Sequence, residues 1–420
     1  MALQEDKLQE AVHFPSTERY MQAALNPPGP SSQDILKIRV ALLGVQQQRR
    51  LFLFGCVGRS QTAWDERVKL AEKYNARVLT DLKIAAAFPT QHRLHAAPPD
   101  LFLNEQEIEV IRSSDVIVSF DWVDLARTLK TAFPENDGLG EPRKTVRIVH
   151  ITLDYPAIHD GWTKNHFAQP PIDLAVSADV DKMVSVLLGV GPNTATEEPT
   201  TPLPGSPDNT TNPFQSQDAV GTDKISITDL AHALYATIPP SKVCLTRLPL
   251  GWKGADLIAT HPLSHLGQDG GGGTGSGPGN AVGTALALKH LHSPLLPVAI
   301  IGDGDFLMGS SALWTAAHHN VPLLVIVANN ASFYNDEKHQ ADIARERGRP
   351  VENAGVGTEI RDPAPDVTGN AVSFGAKRVV DGQVRKRGEL EGALRKAVKV
   401  VREEGKLVVV DVFVWPEEEL

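Results

Sequence analysis

Val298-Ala299-Ile300-Ile301 leads into Gly302-Asp303-Gly304-Asp305-Phe306, and Leu323-Leu324-Val325-Ile326-Val327 leads, after Ala328, into Asn329-Asn330. Each apolar run is short, largely branched at Cβ or Cγ and uninterrupted, the pattern of a strand buried on both faces. Leu313-Trp314-Thr315-Ala316-Ala317, between them, reads as a crossover helix. A right-handed βαβ connection then brings both polar turns to the carboxyl edge of one parallel sheet.

That edge offers what a hard divalent cation takes. Mg²⁺ is held by oxygen atoms near octahedral geometry and commonly leaves positions for phosphate oxygens. Asp303 supplies a carboxylate, Asn330 a neutral side-chain oxygen and Ser332 a backbone carbonyl. Gly302 and Gly304 permit a tight turn whose N–H groups face phosphate. Either turn alone is ordinary punctuation after a strand, but the two at this separation point to a metal held against a diphosphate. Asp305 would repel a diphosphate, so it is expected to contribute its N–H and turn its carboxylate elsewhere.

Upstream, Leu266-Gly267-Gln268-Asp269 opens a glycine-rich run to Gly279, followed by the small-residue helix Ala281 to Leu288. A glycine run by itself is most often a flexible loop. With the two turns, however, the segment from Gly302 to Asn330 resembles the signature of thiamine-diphosphate-dependent enzymes. Its surroundings are similar to the acetolactate synthase and benzoylformate decarboxylase superfamily.

The resemblance implies Mg²⁺ on Asp303, Asn330 and the carbonyl of Ser332, and thiamine diphosphate against Gly273, Thr274, Gly275, Gly302, Gly304 and Asp305. At the position of Thr274 the family carries an apolar wedge that bends the cofactor into a V; threonine is smaller and more polar, so the wedge is weakened or shared. His261 and His265 lie where the family places residues near the reacting carbon, and are the candidates for a catalytic role; structural hydrogen bonding is the plainer alternative. Phe333, Tyr334, His339 and Gln340 either close over the cofactor or form a surface helix. Arg345, Arg347 and Arg349 either attract an anionic substrate or a neighbouring subunit, or are simply solvated.

Composition narrows the rest. With 420 residues, 41% of them hydrophobic, the chain can bury more than one core. A formal charge of −10 and the lack of a basic stripe argue against a nucleic-acid partner. Cys56 and Cys244 are far apart and lack metal-ligand spacing, which predicts a reduced, cytoplasmic protein. No apolar run is long enough to cross a membrane, and the polar start is neither a signal nor a transit peptide.

The fold class expected is α/β, with two doubly wound parallel-sheet domains, each independently compact, joined by a long flexible linker. Residues 1–31 read as an N-terminal linker, and 32–191 as the family's Rossmann-like central domain. A Pro/Thr/Ser-rich linker follows over 192–224, and 225–416 forms the carboxyl-terminal domain for diphosphate and Mg²⁺. Thr228 or Asp229 is expected to cap the first helix of the second domain, and Lys377-Arg378-Val379-Val380 to form a strand. Gly55-Cys56-Val57-Gly58 lacks the full dinucleotide fingerprint and reads as a tight turn, arguing against FAD or a nicotinamide cofactor.

The superfamily normally places ahead of these two domains a third, which binds the aminopyrimidine ring and carries an activating glutamate. No segment here matches it. The resemblance thus implies a 2-oxo acid decarboxylase or carboligase half-site, working as a homo- or hetero-oligomer with an aminopyrimidine-domain partner. The alternative is a shortened paralogue that binds cofactor or a partner without turnover.

Overall fold

The computed structural model describes residues 26–134, 145–154, 170–189, 223–268 and 273–416. Two parallel sheets organise them. In the first the strand order is β2-β1-β3-β4-β5, with β1 Arg50–Phe54, β2 Arg77–Thr80, β3 Val116–Phe120, β4 Arg147–Thr152 and β5 Leu174–Ser177. Helices α1 Ser32–Leu43, α2 Gln61–Tyr74 and α5 Val180–Gly189 accompany one face; α3 Glu105–Arg112 and α4 Leu125–Ala132 cover the other. Alternation within the strands divides the core accordingly: Phe52, Phe54, Val118 and Phe120 pack to one side, Leu51, Leu53 and Ile117 to the other.

The second sheet runs β6-β7-β8-β9, with β6 Val243–Arg247, β7 Leu296–Gly302, β8 Leu323–Asn329 and β9 Leu407–Phe413. Val298, Ile300, Leu324, Ile326, Val408 and Val410 face α6 Ile227–Thr237 and α12 Arg387–Glu404. Their sequence neighbours Ala299, Ile301, Val325, Val327 and Val409 face α7 Ser276–His290, α8 Asp303–Gly309, α9 Leu313–His318 and α11 Val367–Ser373. Burial on both faces is why these strands read as unbroken apolar runs, and each fully buried aliphatic side chain contributes about 1.5–3 kcal/mol.

Three local expectations are corrected. Ser226, not Thr228 or Asp229, caps α6; its hydroxyl accepts from the Asp229 N–H while the Asp229 carboxylate returns to the Ser226 N–H, a reciprocal box. Thr228 instead donates to Asp256. Lys377-Arg378-Val379-Val380 is no strand: only Lys377 touches β9, through a single bridge to Val408, and pairing resumes at Val384. Two apolar residues between a basic pair and Asp381-Gly382 are too few to bury a ladder against an edge strand. Gly55-Cys56-Val57-Gly58 is not a hydrogen-bonded tight turn but a bend that continues alongside the end of β3. The N–H groups of Gly55 and Cys56 donate to the carbonyls of Phe120 and Asp121, and a Cβ on Gly55 would lie 1.9 Å from the Asp121 oxygen. Most of the segment expected as the linker, and most of the N-terminal one, lie outside the described residues.

The two sheets are not independent bodies. The segment after β2 crosses to the second: Ala86 N–H donates to the His265 carbonyl, Gln268 N–H to Lys83, and the Thr90 hydroxyl to Leu257. Leu82 and Leu101 join the core beneath the second sheet. Gly254 packs so closely on Pro99 that a Cβ there would lie 1.3 Å from its carbonyl oxygen. His265 is buried in this seam with Nε2 3.1 Å from the Leu82 carbonyl, and burial lowers its pKa to about 4. Its native pKa is below the unfolded value of about 6.5, so the unfolded chain takes up the proton first and stability falls as pH drops from about 6.5 to about 4. His265→Gln, which keeps a donor for Leu82 but cannot titrate, should reduce that acid-side loss by roughly 3 kcal/mol. Urea denaturation across the pH range checks this; His95 and His150, also lowered to about 4, keep part of the slope.

Candidate functional site

Register builds the site. Along β7 and β8, Ile301 lies beside Val327 and Gly302 beside Ala328, so Asp303 and the Asn pair leave the sheet side by side. The amides of Gly304 and Ala331 face the Asp303 carboxylate and favour its charged form, but burial outweighs them and raises its pKa to about 6. Asp303 is 3% exposed, and its Oδ2 has no hydrogen-bond partner among the described residues. A buried carboxylate oxygen left in this way is suited to a cation.

The two asparagines have different tasks. Asn329 is buried; its amide donates to Asp411 at 3.1 Å and its oxygen accepts the Ala331 N–H at 3.0 Å. Asp411, in the middle of β9, also receives both 3.1 Å contacts from the Gln383 amide. Its pKa is raised, chiefly by burial. Asn330 is only half-buried, and its side-chain oxygen accepts the Ser332 N–H at 3.2 Å. Ala331 between them turns through positive φ, 59°. The chain then pairs antiparallel with 358–360: Phe333 N–H donates to Thr358, Ile360 N–H donates to Ala331, and the Ser332 hydroxyl donates to Glu337 at 2.9 Å. Ser332 is thereby fixed one turn-length from Asn330, in a buried position.

Oxygen donors of one carboxylate, one amide and one carbonyl suit Mg²⁺ or a similar hard ion. No cluster of three or more His, Cys, Asp or Glu side chains fit to hold a metal occurs among the described residues, so a cation here relies on Asp303 and neutral oxygens.

The glycine-rich turn arrives from the other side. Residues 269–272 lie outside the described residues; Gly273 and Thr274 are exposed, and Gly275 starts α7 with φ 97°. A Cβ on Gly304 would stand 2.3 Å from the Phe333 ring. Asp305 turns its carboxylate into the glycine-rich turn that was itself expected to meet the cofactor: its Oδ1 accepts the N–H of Gly275 at 2.7 Å and of Gly277 at 3.1 Å. The histidines sit differently from each other. His265 belongs to the seam already described, whereas His261 is half-buried, accepts the Leu263 N–H at 3.3 Å on Nδ1, and has its pKa lowered by burial. Phe333 packs on the Gly304 turn, while Tyr334, His339 and Gln340 lie on α10 Tyr334–Glu346, which has no buried residue. Arg345 forms an exposed pair with Asp342, of little energetic weight.

Asp411, Gln383, Glu337, Thr358 and Arg247 complete the surroundings without any motif to announce them. Only Asp411 left a signal, a carboxylate within the apolar run Leu407 to Phe413.

Comparison with known proteins bears on the domain and the fold. Residues 253–412 match the family model described as thiamine pyrophosphate enzyme, C-terminal TPP binding domain. An acetolactate synthase of Mycobacterium avium is 25% identical over 344 residues, 75% of this chain and 50% of that protein. The chain thus spans about half the length of that curated relative. Among solved structures, the thiamine diphosphate-dependent 4-hydroxybenzoylformate decarboxylase of Rhodococcus jostii RHA1 superposes with a TM-score of 0.68 at 19% identity, over 96% of this chain and 68% of that one. Benzoylformate decarboxylase of Polynucleobacter necessarius gives 0.69 at 17%, over 97% and 69%. These two likenesses establish the fold.

The division of labour between the asparagines is measurable. Asn329→Ala leaves the buried Asp411 carboxylate short of a donor and should destabilise the protein by about 1–3 kcal/mol. Asn330→Ala should stay within about 0.5 kcal/mol of the parent. Equilibrium denaturation of the two variants tests the contrast.

Proposed function

We propose that this chain, a member of the thiamine-diphosphate-dependent enzyme superfamily, binds thiamine diphosphate with Mg²⁺ and serves decarboxylation or carboligation of 2-oxo acids. The observation that carries the reading is the buried, unpartnered Asp303 oxygen at the edge where the Asn pair converges. Asp303, the side-chain oxygen of Asn330 and the carbonyl of Ser332 would hold the metal. Gly302, Gly304 and the turn of Gly273, Thr274 and Gly275 would receive the cofactor. Bound thiamine diphosphate supplies the electron sink that 2-oxo acid decarboxylation requires.

The chain's own residues bind and orient. Asp303 brings the negative charge that fixes the cation, and the close approach of Phe333 to Gly304 walls the turn with an aromatic ring. Asp411 and Gln383 hold Asn329, and through it the Ala331 amide that faces Asp303. The activating glutamate is assigned to an aminopyrimidine-binding domain, supplied by another chain or another segment of the protein, because the two domains resembled here do not carry it in this superfamily. A general acid–base relay of that kind is worth about 10²- to 10⁴-fold in rate.

Titration calorimetry should show thiamine diphosphate binding that depends on Mg²⁺, abolished by Asp303→Ala and weakened less by Asn330→Ala, which removes a neutral ligand only. Equal affinity with and without metal contradicts the assignment. The 420-residue chain, saturated with cofactor and Mg²⁺, should decarboxylate pyruvate or benzoylformate negligibly. Adding a separately produced aminopyrimidine-binding domain should raise turnover in a manner that requires Asp303. Robust turnover by the chain alone would place the activating carboxylate within it.

A further inference from the structure

Asp305 stands two residues beyond Asp303 on α8, with its carboxylate bound to a different element. One oxygen, Oδ1, accepts two backbone N–H groups of the glycine-rich turn, from Gly275 and Gly277, the N-cap and second residue of α7. The other, Oδ2, faces Arg247 Nε at 3.7 Å across side chains that are 13% and 12% exposed. Arg247 closes β6, the strand next to β7. The close packing admits no larger residues: a Cβ on Gly277 would lie 2.3 Å from Asp305 Oδ2, and one on Gly309 would lie 2.2 Å from the Gly275 carbonyl oxygen.

α7 has no acidic residue in its own first turn and no side-chain cap from Gly275. Its leading amides carry partial positive charge and need an acceptor. Asp305 provides it from outside the helix, at charge-assisted hydrogen-bond distance, while Arg247 offsets the charge this brings into the interior.

We infer that Asp305 is a positioning residue: with Arg247 it clasps the Gly273–Gly277 turn to the metal turn, so that the two halves of the cofactor site are held in one arrangement before cofactor arrives. This inference rests on the proposed cofactor. It goes further in making metal and cofactor subsites mechanically coupled through the two-residue step from Asp303 to Asp305. It also leaves the amides of Gly275 and Gly277 committed to an internal carboxylate, so that the diphosphate relies on the other amides of the two turns.

The test compares the parent chain with Asp305→Asn and Asp305→Ala. Asparagine keeps an oxygen that can accept both N–H groups, but it loses the charge and turns an amide donor towards Arg247. Amide hydrogen exchange of peptides covering 273–280, measured without cofactor or metal, should rise about tenfold or more in Asp305→Ala while peptides in β7, β8 and β9 keep their protection. Thiamine diphosphate affinity in saturating Mg²⁺ should fall about tenfold or more in the same variant. Asp305→Asn should fall between the parent and Asp305→Ala in both exchange and affinity. Unchanged exchange in Asp305→Ala overturns the inference, as does raised exchange with unchanged affinity, which would mark the contact as a helix cap only. If Asp305→Ala does not fold, Asp305→Asn decides, and parent-like exchange or affinity in it overturns the inference. A parent chain that fails to bind thiamine diphosphate sinks the proposed function and, with it, the cofactor role of the clasp. The exchange comparison still shows whether the turns are joined.

Discussion

The parallel register of β7 and β8 is the constraint on which the site depends. Because Gly302 sits beside Ala328, the chain leaves both strands at one level, and Asp303 meets the amide of Ala331 without any long-range search by flexible side chains. A shift of one residue would move alternate side chains to the opposite face and separate the turns. What prevents the shift is burial on both faces: Ile300 and Ile326 pack towards α12, Ile301 and Val327 towards α7 and α9, and a slip would have to repack both cores together.

Around that register lie two buried carboxylates, Asp303 and Asp411, and a half-buried one, Asp305. Asp303 is left with an oxygen unsatisfied, Asp411 is surrounded by amide donors, and Asp305 is satisfied by backbone N–H groups. Burial raises the pKa of the first two, the expected response of an acid taken out of water. An apolar residue at any of these positions would lose the interaction that joins two elements: turn to turn at Asp303, β8 to β9 at Asp411, and α8 to α7 at Asp305.

Much of this was legible in the sequence for physical reasons. The central strands β1, β3, β7 and β8 stand out because burial on both faces leaves little room for polar interruption, and Asp303, Asn330 and Ser332 stand out because a strand followed by a polar turn is a local pattern. What could not be read is non-local. The partners of Asp305 lie 28 and 30 residues away, and that of Asn329 lies 82 residues away. The tie of Asn329 to Asp411, which separates it from the half-buried Asn330, is invisible in the sequence. The Lys377 segment misled because two valines suggest a strand whatever their neighbours. The seam was hidden for a different cause: Leu82, Thr90 and Pro99 belong to a stretch without periodicity, whose role appears only when it meets Gly254 and His265.

That seam bears on how far the two sheets can part. A hinge between the sheets would have to break the hydrogen bonds of Ala86, Thr90 and Gln268 and open the contact of Gly254 with Pro99, where there is no slack. The two sheets therefore make a poor pair of jaws. α10, which follows Ser332 directly and has no buried residue, is held by far less apolar contact, with Glu337 tying it back to the Ser332 hydroxyl.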